Sequence, residues 1–388
     1  MPINDFVLEL PHFTINRSEN GNPIRLYAQY SGENTCPRCG SNHLRNKGKF
    51  KREVKHISFS LKKSVLIFEA KRFLCKDCGR YFNQRFDGIQ PRVRSSEPLK
   101  NELIVRHQAG ICLQKLADGS QVSSSTLERW CHQFLLRKIK ERIPSFCPRV
   151  LGIDEDFFGR KQGFATTFCD LKKHRVYNVE LGRSKADLWR YLKDLEGRHR
   201  VQVVVIDLSS GYRSMVRSYF PKAKIVCDRF HVIRLVNHHF LNYWKEIDPE
   251  GRKNRRLLSL MRRSRQKLTE EQMNKLSEYF SRHPSIGMGY KFRNKLMELF
   301  NRKSQNKRQC RRLIPLFNEY IKRLLSSPMA ALGKTLRSWD EEIVRMWRFT
   351  KTNGITEGLH NKMETISRNA YGYRNFENYR LRVRTLCS

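Results

Sequence analysis

Two sets of residues in this chain are of types that do chemistry. Asp154 stands in RVLGIDEDFFG, and Asp207 closes the apolar run VQVVVIDL. A carboxylate at the end of a buried strand is costly unless something binds it. Two such groups brought together repel, and a cation between them relieves the repulsion. Hard divalent ions such as Mg(II) or Mn(II) take oxygen ligands, keep water and bind phosphates. A pair of them about 3.5–4 Å apart activates a nucleophile and stabilises the leaving oxygen of a phosphodiester. That chemistry needs a third acidic group from a helix. TNGITEGLHNKMETIS supplies Glu357 near a helix start capped by Thr352 or Asn353. His360, Asn361 and Glu364 follow on the same face, Glu364 being the fallback. The second set is cysteine: Cys36-Pro-Arg-Cys39-Gly40 and Cys75-Lys-Asp-Cys78-Gly79. Two such knuckles, each with a glycine for the tight turn, suit tetrahedral Zn(II).

Elements must hold these groups in place. Between the knuckles, VKHISFSL and SVLIFEAKRFL read as strands, and the second runs directly into Cys75. Residues 1–86 are therefore expected to form N-terminal strands and a zinc ribbon. Lys47, Lys49, Lys51, Arg52 and Lys55 decorate the hairpin, either as a solvated face or as phosphate contacts. The segment 87–98, DGIQPRVRSSEP, reads as a linker. Residues 99–142 are helical in pattern, with a short helix over Ile111–Ala117, a stop at Gly119 and a new start at Ser123 or Ser124. Leu127, Trp130, Cys131 and Phe134 give the second helix one buried face. This is a helix-turn-helix candidate that would turn Ser124, Ser125, Thr126 and Arg129 toward a DNA major groove; a plain helical hairpin is the alternative.

The prolines of Ile143–Pro148 mark a boundary, and 149–388 forms the next domain. Its order is three strands, a helix over Ser184–Gly197, the strand ending on Asp207, a helix over 210–220, and the strand AKIVCD. This is the order of the ribonuclease H fold, in which the first and fourth strands lie side by side and bring Asp154 and Asp207 together. Asp228 is a rival or neighbour for the second position, and Asp228 and His231 also fit a helix cap and a packed ring. Asp156 shares the face of Asp154, whereas Glu155 points away. From about 232 to 349 the pattern is helical, strand-poor and basic, with eight Lys or Arg in the seventeen residues 251–267 and more in 302–312. A basic run is often only a solvated face; here it is suited to DNA phosphates. Trp244, Trp339 and Trp347 are expected to pack this insertion; stacking on a distorted base is the alternative. The fold class is thus α/β: a ribonuclease H-like core with a large helical insertion, preceded by a zinc ribbon and a helix-turn-helix domain.

Bulk properties agree. Among 388 residues, 77 Lys and Arg against 37 Asp and Glu leave a net charge of +40, which points to a nucleic-acid partner. No run is long and apolar enough to cross a membrane, and MPINDFVLELPHF lacks the pattern of a secretory signal. Eleven cysteines, seven of them scattered singly, fit a reducing cytoplasm.

At these residues the sequence resembles the ISL-three family of bacterial insertion-sequence transposases. The likeness runs through CPRCG, CKDCGRYF, GIDE, VVVIDLSSGY, FPKAKIVCDRFHV and the tail TNGITEGLHNKMETISRNAYGYRNFENYRLRV. It implies a catalytic triad at Asp154, Asp207 and Glu357, separated by 53 and 150 residues, and a Mg(II)- or Mn(II)-dependent polynucleotidyl transferase. It also implies double-stranded DNA as partner (terminal inverted repeats and target), a homo-oligomer, and a cytoplasmic, nucleoid-associated protein. A non-catalytic DNA-binding regulator and a nuclease without strand transfer are the alternatives.

Overall fold

The computed structural model describes residues 8–59, 62–301, 315, 319–321, 326–347 and 354–388. They divide into two compact units: Met1–Lys138 with Arg368–Tyr373, and Ile139–Ser367 with Arg374–Ser388.

The first unit is built on a sheet of β1 (Phe13–Glu19), β2 (Ile24–Tyr30), β3 (Leu44–Phe59), β4 (Lys62–Cys75) and β5 (Tyr81–Asn83). Its order is β1-β2-β4-β3, with β5 also on β4. Phe13, Leu26, Val54, Leu66, Phe68, Phe86 and Ile89 share its core, so Ile89 of the segment 87–98 is packed. The segment read as a linker is tied further, because the Arg52 guanidinium donates to the carbonyls of Gln90 and Val93. Of the basic residues on the hairpin, Lys49 pairs with Glu69 at 2.8 Å, while Lys47 and Lys51 stay exposed.

Three helices follow: α1 (Glu97–Gln108), α2 (Leu113–Ser120) and α3 (Ser124–Arg142). Leu99, Leu103, Leu116, Val122, Leu127 and Trp130 form their common core. The expected helix stop at Gly119 is displaced by two residues. Helix α2 runs through Gly119, and Gln121 takes the left-handed conformation at φ 60°. Ser123 then caps α3, accepting from the Thr126 amide at 3.4 Å. Ser125 and Arg129 are exposed; Ser124 and Thr126 are half-buried.

The second unit holds a five-stranded sheet: β6 (Val150–Gly159), β7 (Gly163–Asp170), β8 (Arg175–Leu181), β9 (Val203–Ile206) and β10 (Lys224–Cys227). The order is β10-β9-β6-β7-β8. The β6-β7-β8 meander is antiparallel, and β9 and β10 join it in parallel. Val203–Ile206 are all buried, as their continuous apolar run requires of a central parallel strand. Helices α4 (Lys185–Lys193) and α5 (Ser210–Tyr219) connect the strands. Helix α6 (Arg229–Ile247) leads into a run of helices over the described residues of 249–347, with no strand among them. Trp244, Trp339 and Trp347 are all buried there, so they pack as expected. The basic segment 302–312 lies outside the described residues. Two further helices, α13 (Gly354–Asn369) and α14 (Phe376–Leu386), end the chain; α7–α12 are the intervening helices Pro249–Lys253, Arg255–Arg262, Glu270–Arg282, Pro284–Asn301, Ser327–Ser338 and Asp340–Arg345.

Candidate active site and zinc-binding cluster

The first site lies in the sheet of the first unit. The sulfurs of Cys36, Cys39, Cys75 and Cys78 all fall within 4.8 Å of one another. Cys36 and Cys78 are 3.5 Å apart, and Cys39 and Cys75 are 3.6 Å apart. Four sulfurs at about 2.3 Å from a shared zinc stand about 3.8 Å apart in a regular tetrahedron, so the donor set fits the ion. Each knuckle is closed by its glycine. Gly40 donates to the Cys36 carbonyl at φ 77°, and Gly79 to that of Cys75 at φ 68°, a region that disfavours side chains. Burial opposes ionisation of Cys36, yet the Arg38 and Cys39 amides and the neighbouring thiols bring it down to about 6. For Cys39 the Ser41 amide favours the thiolate, but burial and the other three sulfurs push it up to about 12. For Cys78 the Arg80 amide favours the thiolate, but burial and the sulfurs of Cys36 and Cys75 outweigh it and push the thiol up too.

The second site forms at one edge of the mixed sheet. Strand β6 pairs with β9 at a constant offset: Val150 with Val203, Leu151 with Val204, Gly152 with Val205. Continued by two residues, that register sets Asp154 level with Asp207. Strand β10 pairs Cys227 with Ile206, which sets Asp228 level with Asp207 on its other side. Three carboxylates thus form a row across three parallel strands, just past the ends of β9 and β10 and partway along β6.

Their surroundings differ. Asp154 is buried at 8 % exposure, and its Oδ1 accepts from the Glu155 amide at 2.9 Å. Asp207 has a buried Oδ1 with no hydrogen-bond partner among the described residues. Burial raises its carboxyl to about 6, helped by the charges of Asp154 and Glu155 and opposed by His231 and the Ser209 amide. An orphaned, desolvated carboxylate oxygen beside a second carboxylate fits a cation. Asp228 is 2 % exposed and occupied otherwise: it caps α6 by accepting from the Phe230 amide at 3.1 Å, and it lies 3.5 Å from His231 Nε2. Asp228→Ala is therefore expected to cost about 1–2 kcal/mol through the lost cap, while Asp228→Asn keeps most of it; urea melts of the two variants check this.

Helix α13 lies along the same edge. His360 Nδ1 is 3.8 Å from Asp154 Oδ2, and its Nε2 is buried without a partner among the described residues. Asp156 is pushed up by burial first, with His360 and the Phe157 amide opposing, and Glu364 and Asp154 adding to the rise. His360 and Glu364 therefore both act on β6. Glu357 is exposed, one turn before His360 on the same helix face. The helix-start residues Thr352 and Asn353 lie outside the described residues. Glu155, expected on the face away from Asp154 in a structural or solvated role, pairs with Arg183 at 3.5 Å, and the Arg183 guanidinium stacks over Phe164 at 4.1 Å. Arg183 was not legible in the sequence, because it lies between β8 and α4 and meets Glu155 only through the fold, not through any local motif.

Comparison with known proteins agrees with this layout. Residues 151–383, more than half of the chain, match the ISL3 transposase family profile. Residues 33–78 match the profile described as zinc-finger of transposase IS204/IS1001/IS1096/IS1165. The chain is similar to the transposase for insertion sequence element IS1001 of Bordetella parapertussis, with 23% identity over 365 residues, covering 90% of this chain and 87% of that protein. No described helix is long and apolar enough to cross a membrane. With a four-cysteine zinc-binding cluster ahead of a transposase core, the chain belongs to the ISL3 family of transposases.

Proposed function

We propose that the protein binds the terminal inverted repeats of an insertion sequence and carries out both strand cleavage and strand transfer at Asp154, Asp207 and Glu357. The observation that carries this is the buried, unpartnered Oδ1 of Asp207, level with Asp154 across two parallel strands. The strand order β10-β9-β6-β7-β8 supports a ribonuclease H-like core. Asp154 and Asp207 would hold divalent ions, Mg(II) or Mn(II), with Glu357 completing the set from α13. Such ions supply Lewis acidity toward phosphoryl oxygens. His360 steadies Asp154 from the helix side.

Water attacks phosphorus at the element's end, leaving a 3′-hydroxyl and a 5′-phosphate. The 3′-hydroxyl then attacks a target phosphodiester, so one P–O bond forms as another breaks and no external energy source is needed. The zinc ribbon and the three-helix cluster of α1–α3 serve as the DNA-reading elements. The latter acts as a helix-turn-helix, with Ser124, Ser125, Thr126 and Arg129 at the start of α3 facing the groove. Two ends have to be held at once, which suits a homo-oligomer acting on the bacterial nucleoid.

The test uses a plasmid carrying the element's own inverted repeats. In Mg(II) the protein is expected to nick at the ends and yield joined product, and to do neither without divalent ions. Cleavage without joining would make it a nuclease; binding without cleavage would make it a regulator.

A further inference from the structure

The other end of the same three parallel strands carries the opposite charge. A concavity of about 550 Å³ opens there, lined by Arg149, His199, Arg200, Lys222 and Lys224 together with residues 201–203, and by no acidic side chain. The five basic residues are exposed, and none is in an ion pair among the described residues. Their backbone is stiff. The Arg149 carbonyl accepts from the amides of Gln202 and Val203 at 2.9 and 3.2 Å, and the Lys224 amide donates to the Gln202 carbonyl at 2.8 Å. The Arg200 guanidinium lies 5.2 Å from the ring of Phe146, which is itself 51 % exposed. Cations fixed on a stiff, concave edge with no internal counter-charge suit a phosphate backbone, which is neutralised with release of its counterions.

The geometry also says which DNA this is. Strand β9 has four residues, so about 13 Å of sheet separates this edge from the carboxylates. The two edges face opposite ways along the strands, and a phosphate held at one cannot touch the other. We infer that the basic concavity binds the backbone of a second DNA duplex, separate from the one presented to Asp154 and Asp207. The inference rests on the proposed function only for naming the first duplex.

The experiment uses the full-length chain and the triple variant Arg149→Ala, Lys222→Ala, Lys224→Ala, which alters exposed side chains only. A control with the same charge change, Lys185→Ala, Arg190→Ala, Lys193→Ala, alters exposed basic residues on α4, outside both the concavity and the helical insertion. Binding of a 30-base-pair duplex of arbitrary sequence is followed by fluorescence anisotropy over a salt series. The triple variant is expected to flatten the slope of log K against log salt by about 2–3, at roughly 0.9 per lost phosphate contact. A second arm saturates the protein on a bead-bound duplex and measures capture of a second, labelled duplex, which the triple variant is expected to lose at least tenfold. An unchanged slope, a slope change no larger than the control's, or normal capture of the second duplex would each overturn the inference. Neither arm needs cleavage, so a wild-type protein that never cuts DNA would sink the proposed chemistry and leave this result standing or falling by itself.

Discussion

Asp207→Asn is expected to abolish strand cleavage, by on the order of 10³-fold or more, and at the same time to stabilise the fold in the absence of divalent ions. Both effects come from one atom. The Oδ1 of Asp207 is buried and has no partner among the described residues, and the carboxyl is raised from 3.8 to about 6. Two pKa units correspond to at most about 3 kcal/mol, and partial solvent access reduces this to about 1–2 kcal/mol. The sign follows from linkage. An acid raised in the folded state is penalised when ionised, so the penalty is full above pH 6. It shrinks as pH falls from 6 toward 3.8, where the folded state takes up the proton first, and it vanishes below 3.8. The Asn variant should thus melt about 2–6 °C higher than the wild type at pH 8, and the two should converge near pH 4. Scanning calorimetry in magnesium-free buffer without chelator (which would also strip the zinc) measures the gap. A variant less stable at pH 8, or a gap that ignores pH, would remove Asp207 from the role of ion ligand.

Zinc removal is expected to have the other large effect, confined to one half of a sheet. Structural zinc sites in small domains are worth about 10–16 kcal/mol in apparent binding free energy, and much of the local fold is lost without the ion. In β3 the first six residues, 44–49, are almost all exposed, whereas Val54 is fully buried in the core with Leu66 and Phe68. The knuckle end of the hairpin has little apolar burial of its own; the far end has a core. Chelation, or Cys75→Ser, should therefore remove hydrogen-exchange protection from 44–50, 71–75 and 81–83 while 52–56 and 64–70 keep theirs. Acidification should release the ion too, because protons compete with zinc for the same thiolates. Loss of protection across the whole sheet, or none at all, would contradict this division.

How much of this was legible beforehand depends on whether a feature is local. The apolar run Val203–Ile206 fixes its own strand, and the cysteine knuckles fix their own turns, so both can be read from short stretches. The juxtaposition of Asp154 and Asp207 needed an assumed strand order. Features set by long-range packing were misread or missed. Residues 87–98 look like a linker by composition, yet Ile89 is buried and Arg52 holds the carbonyls of Gln90 and Val93. Gly119 looks like a helix stop by propensity, yet burial of Ser120 and Val122 carries the turn on to Gln121. Arg183 had no signal, since it stands in the connection after β8 and its partner Glu155 is distant in sequence.

The row of Asp154, Asp207 and Asp228 has a consequence for how such a site tolerates change in length. Its alignment is a property of strand register, in which each residue advances about 3.3 Å and reverses the facing of its side chain. One residue added or lost within β6 or β9 would carry a carboxylate out of line and onto the wrong face, even with every catalytic side chain retained. The turns at 160–162 and 172–174 are free of that constraint, because they lie outside the paired residues that carry the register. Variation in length is thus absorbed by the connections, and the distance between two acids along the chain matters less than the count of residues between each acid and its first paired neighbour.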